Sequence, residues 1–117
     1  MCHVLVIEDE PLIAEYVAAL AEMAGATSST IADTVKSAVD AAHNQAPDLI
    51  LSDVNLLRGE RGPDAVAAIR SKMGAIPVIF ITATALDCID CDYASAILEK
   101  PVQPERVIAA ISAARCC

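Results

Sequence analysis

Three carboxylates (Glu8, Asp9 and Asp53), one hydroxyl (Thr82) and one ammonium (Lys100) are the side chains whose types and positions suit phosphoryl chemistry. A carboxylate can attack a phosphoryl group to give an acyl phosphate, and Asp53 is the candidate nucleophile. Carboxylates gathered at one place repel one another, and a hard divalent cation relieves that repulsion. Magnesium takes oxygen ligands, keeps several waters, and often binds one or two carboxylates together with a phosphate oxygen. Asp9 is expected to hold such an ion directly and Glu8 through water. Lys100 then supplies a second positive charge for the phosphoryl oxygens and Thr82 a hydrogen bond, because phosphoryl transfer depends on positioning and charge neutralisation.

These side chains meet only if the elements before them run side by side. Leu49-Ile50-Leu51-Ser52 is an apolar run that stops on Asp53, the form of a strand buried on both faces. Residues 4–7 run in the same way into Glu8-Asp9-Glu10, residues 78–81 into Thr82, and residues 96–99 into Lys100. In parallel strands these polar ends collect at the carboxyl edge of the sheet, where open α/β sheets bind ligands.

The intervening segments read as helices. The first strand, residues 3–8, is followed by a helix that Pro11 opens, with Asp9 or Glu10 as cap. Ile13, Val17, Leu20 and Ala24 form its inner face, and Gly25 ends it. A short Ser/Thr-rich strand at 27–31 belongs toward an edge. Asp33 or Thr34 caps a second helix, with Val35, Ala38, Val39 and Ala42 inward. A strand at 48–52 leads to a loop in which Gly59 and Gly62 permit tight turns. Pro63 opens a third helix (Val66, Ile69 and Met73 inward) that Gly74 closes, and a strand at 77–81 follows. Residues 83–95 leave room for one or two helical turns. After a strand at 96–99, Pro104 opens the last helix, with Val107, Ile108 and Ile111 inward and Arg115 suiting its carboxyl end. Alternation of this kind predicts parallel pairing with right-handed crossovers in one doubly wound α/β domain, residues 1–117.

Composition narrows the function. Hydrophobic residues make up 56% and aromatics 3%, so the core must be aliphatic and alanine-rich. The formal net charge is -8, and the basic residues are scattered rather than clustered, which disfavours direct DNA or RNA binding. No apolar run approaches the ~20 residues needed to cross a bilayer. The amino terminus enters a strand at once without the regions of a signal peptide, so no membrane association and a cytoplasmic location are expected. Five cysteines (Cys2, Cys88, Cys91, Cys116 and Cys117) are an odd number, which with no secretion signal argues against a disulfide framework. A four-thiolate zinc site from Cys88, Cys91, Cys116 and Cys117 has poor ligand spacing. Small apolar side chains, with exposed oxidisable thiols at the tail, are the preferred reading.

Val6-Ile7-Glu8-Asp9-Glu10, Leu51-Ser52-Asp53, Ile81-Thr82-Ala83 and Glu99-Lys100-Pro101 resemble the receiver domains of two-component response regulators, of the chemotaxis-regulator-like, single-domain type. The resemblance spans the chain, in order. It implies a flavodoxin-like five-stranded parallel sheet of order 2-1-3-4-5 with helices on both faces. It also implies that Asp53 takes a phosphoryl group from a sensor histidine kinase or a histidine phosphotransfer protein. Glu8, Asp9 and Asp53, with the backbone carbonyl of Asn55, match the Mg2+ site. Thr82, Ala83 and Lys100 match the phosphate-binding and switch positions, and the Lys100–Pro101 bond is expected to be cis, a rare isomer. Such a protein is a phosphoacceptor with self-catalysed transfer and autodephosphorylation rather than an enzyme.

Three departures stand out. Ile97 occupies the place of a usual aromatic switch residue, and only seventeen residues separate Thr82 from Lys100, so the fourth helix should be short or irregular. The loop from Leu56 to Gly62 is about one residue longer than is common in the family and lacks its usual proline, and Asn55 and Thr84 occupy the two variable positions that in this family tune hydrolysis of the acyl phosphate. The leading expectation is a signalling domain whose phosphorylation shifts a two-state equilibrium toward an unidentified downstream protein. A monomer or weak homodimer is expected. An aspartyl-phosphate phosphohydrolase would need a second carboxylate two residues after Asp53, where Asn55 stands. A pseudo-receiver acting without phosphorylation is kept open by Ile97 and the short fourth helix. His3 and His43 are unpromising, and Asp87, Asp90 and Asp92 read as a solvated acidic loop because the glycine and glutamate of a calcium loop are missing.

Overall fold

Strands and helices alternate along the chain in a computed structural model that describes residues 2–88 and 90–114. The order is β1 (His3–Ile7), α1 (Pro11–Met23), β2 (Ser28–Ala32), α2 (Val35–Asn44), β3 (Leu49–Asp53), α3 (Gly62–Met73), β4 (Val78–Thr82), β5 (Ala96–Glu99) and α4 (Pro104–Ala114). All strand pairs are parallel and the sheet order is β2-β1-β3-β4-β5, the flavodoxin-like arrangement.

Every residue of β1, β3 and β4 is buried, which is why these strands read as unbroken apolar runs rather than alternating ones. Side-chain alternation divides the core into two layers. Val4, Val6, Leu49, Leu51, Ile79 and Ile81 meet α1 and α4 through Val17, Leu20, Val107 and Ile111. Leu5, Ile7, Ile50 and Phe80 meet α2 and α3 through Ala38, Ala42, Val66 and Ile69. Burying each large aliphatic side chain stabilises by roughly 1.5–3 kcal/mol before chain entropy is counted. The edge strands β2 and β5 are only partly covered.

Several strands end one residue later than expected: 48–52 is Leu49–Asp53, 77–81 is Val78–Thr82 and 27–31 is Ser28–Ala32. Asp48 precedes the strand, its N–H donating to the His3 carbonyl at 2.7 Å and its carboxylate accepting the His3 N–H at 2.8 Å. Asp53 and Thr82 are consequently the last paired residues of their strands. The helix ends use different devices. Thr34 closes a reciprocal capping box with Ser37 on α2. At α1 the expected side-chain cap is not made: Glu10 holds the cap position, and its N–H instead donates to the Glu8 carboxylate at 3.1 Å.

Between β4 and β5 the expected fourth helix is reduced to a single 3-10 turn at Ala85–Cys88. Here two expectations fail. Cys88 and Cys91 are not lone apolar fillers but a disulfide, because successive turns fold the chain back and bring their Cα atoms within 5.1 Å. Nor is Asp87 merely solvated, since it is bonded to the loop after β3, as described below. The zinc alternative loses two thiolates to that disulfide; its other two, Cys116 and Cys117, lie outside the described residues, as does Arg115. His3 is buried at the amino end of the sheet, its ring nitrogens 2.7 Å from Ser28 Oγ and 3.1 Å from Thr30 Oγ1. Burial lowers its pKa, with Asp48 opposing.

Candidate functional site

The carboxyl edge of β1, β3, β4 and β5 carries the polar ends of four buried strands, and the parallel register fixes their relative height. Ile7 pairs with Ser52, Asp53 with Ile81, and Thr82 with Glu99, so residues 8, 53, 82 and 100 emerge together. One carboxylate oxygen from each of Glu8, Asp9 and Asp53 lies within 4.8 Å of the others. Oxygen donors from three acids suit a hard divalent cation, so this cluster could hold one. Glu8 and Asp53 are buried and Asp9 is half-buried.

Lys100 reaches across from the end of β5. Its Nζ donates to Asp53 Oδ2 at 3.1 Å and sits 3.6 Å from Glu8 Oε1. Burial acts to lower the Lys100 pKa, but the hydrogen bond and charge of Asp53, together with Glu8, outweigh it and the pKa is raised. Glu8 goes the other way for an acid: burial first, then the neighbouring Asp53 charge, push it up to about 7 against the Glu10 N–H and Lys100. The Lys100–Pro101 peptide bond is cis, and the Lys100 N–H donates to the Thr82 carbonyl at 2.8 Å.

Thr82 is fully buried, and its hydroxyl donates to the Thr84 carbonyl at 3.0 Å rather than to the acidic cluster. Ala83 is exposed beside it. Asn55, exposed in the loop after β3, donates its side-chain amide to Asp87 Oδ2 at 2.9 Å. Ile97 is partly exposed on β5, level with Phe80 of β4.

Three relationships near the site escape a sequence reading, and Gly62 is not the left-handed turn glycine expected. Arg61 donates from its guanidinium to the Asp87 carbonyl, joining the loop after β3 to the 3-10 turn. Glu60 accepts the Val35 N–H at 2.8 Å and so ties the same loop to the start of α2. Gly62 is required by space rather than by dihedral freedom: a Cβ there would stand 1.8 Å from the Asp53 carbonyl oxygen and 2.3 Å from Ser52 Oγ. No spacing rule signals these contacts, which join segments far apart in the chain.

A parallel 2-1-3-4-5 sheet with an acidic rim and an opposed lysine is the plan of a phosphoacceptor regulator. The chain belongs to the response regulator receiver domain family, which matches residues 4–112. Among its relatives is the phyllosphere-induced regulator PhyR of Methylorubrum extorquens, 40% identical over 115 residues, which cover 96% of this chain and 43% of that protein. The chain thus spans less than half the length of that curated relative. The solution structure of the Erythrobacter litoralis PhyR receiver domain superposes with a TM-score of 0.85 at 36% identity, over 97% of this chain and 88% of the other. The crystal structure of the anti-anti-sigma factor PhyR from Bartonella quintana gives 0.83 at 38% identity, over 97% of this chain and 46% of that one. Among the described residues no helix is long and apolar enough to cross a membrane.

Proposed function

We propose that this receiver accepts a phosphoryl group on Asp53 from a phosphohistidine donor, with Mg2+ held at the same rim, and signals by altered binding of a partner. The observation that carries the reading is the opposed pair at one edge: three carboxylates within 4.8 Å of one another, and the Lys100 ammonium 3.1 Å from one of them. Glu8, Asp9, Asp53 and the Asn55 carbonyl would hold the metal, which neutralises charge on the transferring phosphoryl group. Asp53 Oδ attacks phosphorus, the phosphorus–nitrogen bond of the donor breaks, and the imidazole leaves. Lys100 balances the new oxygens, and Thr82 would turn its hydroxyl from the Thr84 carbonyl to the phosphoryl group. Leu12 and Tyr16, exposed on α1 beside the rim, offer an apolar surface for the donor or for a phosphotransfer protein. A cytoplasmic site of action, where sensor kinases present phosphohistidine, accords with this chemistry.

The Bartonella quintana relative is described as an anti-anti-sigma factor. We therefore place the output of this receiver in the same class, control of a protein that restrains a sigma factor. The hydrolase alternative is disfavoured because Asn55 cannot serve as a general acid. The pseudo-receiver alternative rests on Ile97 and the shortened helix between β4 and β5, and it makes the opposite prediction in one experiment. With Mg2+ and a small acyl phosphate donor, the intact mass should rise by one phosphoryl group in the parent chain and not in Asp53→Asn. An unlabelled parent would overturn the proposal in favour of the pseudo-receiver, and rapid turnover of phosphate esters would favour the hydrolase.

A further inference from the structure

Residues 83–95 are the least regular part of the described chain, and their anchoring is unusual. Of the side chains there whose burial is described, only Cys88 and Cys91 are buried. They enter the layer formed by Phe80, Val54, Val66 and Ile69, and they are bonded to each other. The disulfide is thus the covalent clasp of a segment stiffened, among its described residues, by one 3-10 turn and no α-helix.

That clasp is wired to the acidic rim at its amino end. Asp87, adjacent to Cys88, accepts the Asn55 amide on its carboxylate and the Arg61 guanidinium on its carbonyl. Its own N–H donates to the Thr84 carbonyl at 3.1 Å, the same carbonyl that takes the Thr82 hydroxyl. Toward the carboxyl end the Cys91 N–H donates to the Cys88 carbonyl and the Ala94 N–H to the Cys91 carbonyl, each at 3.0 Å. Tyr93 then packs edge-on against Phe80 beneath the Arg70 guanidinium. Both the loop after β3 and the Thr82 hydroxyl are therefore held by a segment whose shape the sulphur–sulphur bond closes.

We propose that Cys88 and Cys91 are a reversible thiol–disulfide site, acted on by dithiol reductants, whose state sets how firmly the 83–95 segment holds the loop that carries Asn55 and Arg61. In the forward step a reductant thiolate attacks one sulphur, the Cys88–Cys91 bond breaks and a mixed disulfide forms. The second reductant thiolate then attacks the reductant's own sulphur in that mixed disulfide and releases the cysteine first attacked, its partner having left as a thiolate in the first exchange. The protein gains two electrons and two protons as two thiols, and the reductant leaves as its own disulfide. Burial of both sulphurs means that attack follows opening of the turn, so the redox state and the order of the segment are linked and each favours the other. In reducing compartments the disulfides that do form are usually transient, and catalytic or redox-sensing.

The test compares the full chain, in a Cys116→Ser/Cys117→Ser background that removes tail cross-links, after treatment with dithiothreitol or glutathione disulfide. Alkylation and peptide mapping fix the state of Cys88 and Cys91, and backbone hydrogen exchange is read without metal or phosphodonor. Reduction is expected to speed exchange in residues 83–95 and 54–61 by about threefold or more, reversibly, with β1 and β3 unchanged. Cys88→Ser/Cys91→Ser should fold and exchange like the reduced chain under both treatments. Equal exchange in the two states, or a Cys88→Ser/Cys91→Ser chain that still responds to dithiothreitol, would overturn the proposal. Phosphoryl labelling plays no part in this readout, so failure of the phosphoacceptor reading and failure of this one are separately visible.

Discussion

The Lys100 ammonium lies 3.1 Å from Asp53 Oδ2, although 47 residues separate them in the chain. Three neighbouring strands, β3, β4 and β5, and the registers between them create that contact, and it opposes a positive charge to two buried acids, Asp53 and Glu8. Replacing Lys100 by alanine leaves those acids facing each other. Because the ammonium is itself partly exposed, solvent tempers the loss, and we expect Lys100→Ala to destabilise the metal-free chain by about 1–2 kcal/mol at pH 8. Added Mg2+ should recover most of that. Urea titrations with and without the metal measure both. Asp53 should still be labelled by a small phosphodonor, but labelling should no longer change partner binding; unaltered phosphorylation-dependent binding would contradict the role given to Lys100.

Glu8 makes the site sensitive to pH. Its folded pKa stands at about 7 against an ordinary value of 4.5, so the folded chain binds a proton there more tightly than the unfolded chain. The stability this contributes is fully present below the ordinary value and is lost as pH rises through the folded one. Melting of the metal-free chain should accordingly show a falling contribution between those two values, absent in Glu8→Gln. Mg2+ competes with the same proton, so its affinity should climb with pH and level off above about pH 7. Calorimetry across that range checks the sign.

Gly62 cannot carry a side chain unless β3 or α3 moves. We expect Gly62→Ala to cost about 1–3 kcal/mol, the range of overpacking in a closed site, and to slow labelling of Asp53 by displacing its backbone. A melting curve matching the parent's would show that α3 can shift to make room. Rapid labelling with lowered stability would separate the structural effect from the chemical one.

Thr34 provides a control outside the acidic cluster. Its hydroxyl oxygen accepts the Ser37 N–H at 3.0 Å in the capping box of α2, and Thr34→Ala should cost about 1 kcal/mol by denaturant midpoint. Phosphoryl labelling per folded molecule should not change.

The amino-acid sequence by itself determined the sheet and the membership of its rim. Apolar runs of four or five residues, each stopping on a polar side chain and alternating with helical segments, read as buried parallel strands whose ends collect at one edge, and so Glu8, Asp53, Thr82 and Lys100 could be named together. The stunted connection after β4 was legible too, because residues 83–95, between that strand and the next, leave room for only one or two helical turns. What only the tertiary structure decided are contacts between segments whose separation no periodicity records. The Cys88–Cys91 bond depends on the turns that fold that segment back, the Asp87 link to Asn55 and Arg61 on how two loops meet, and the need for glycine at 62 on the approach of α3 to the end of β3. Periodicity reports which face a side chain takes, whereas these relationships depend on the distance between faces, which exists only once the layers have packed.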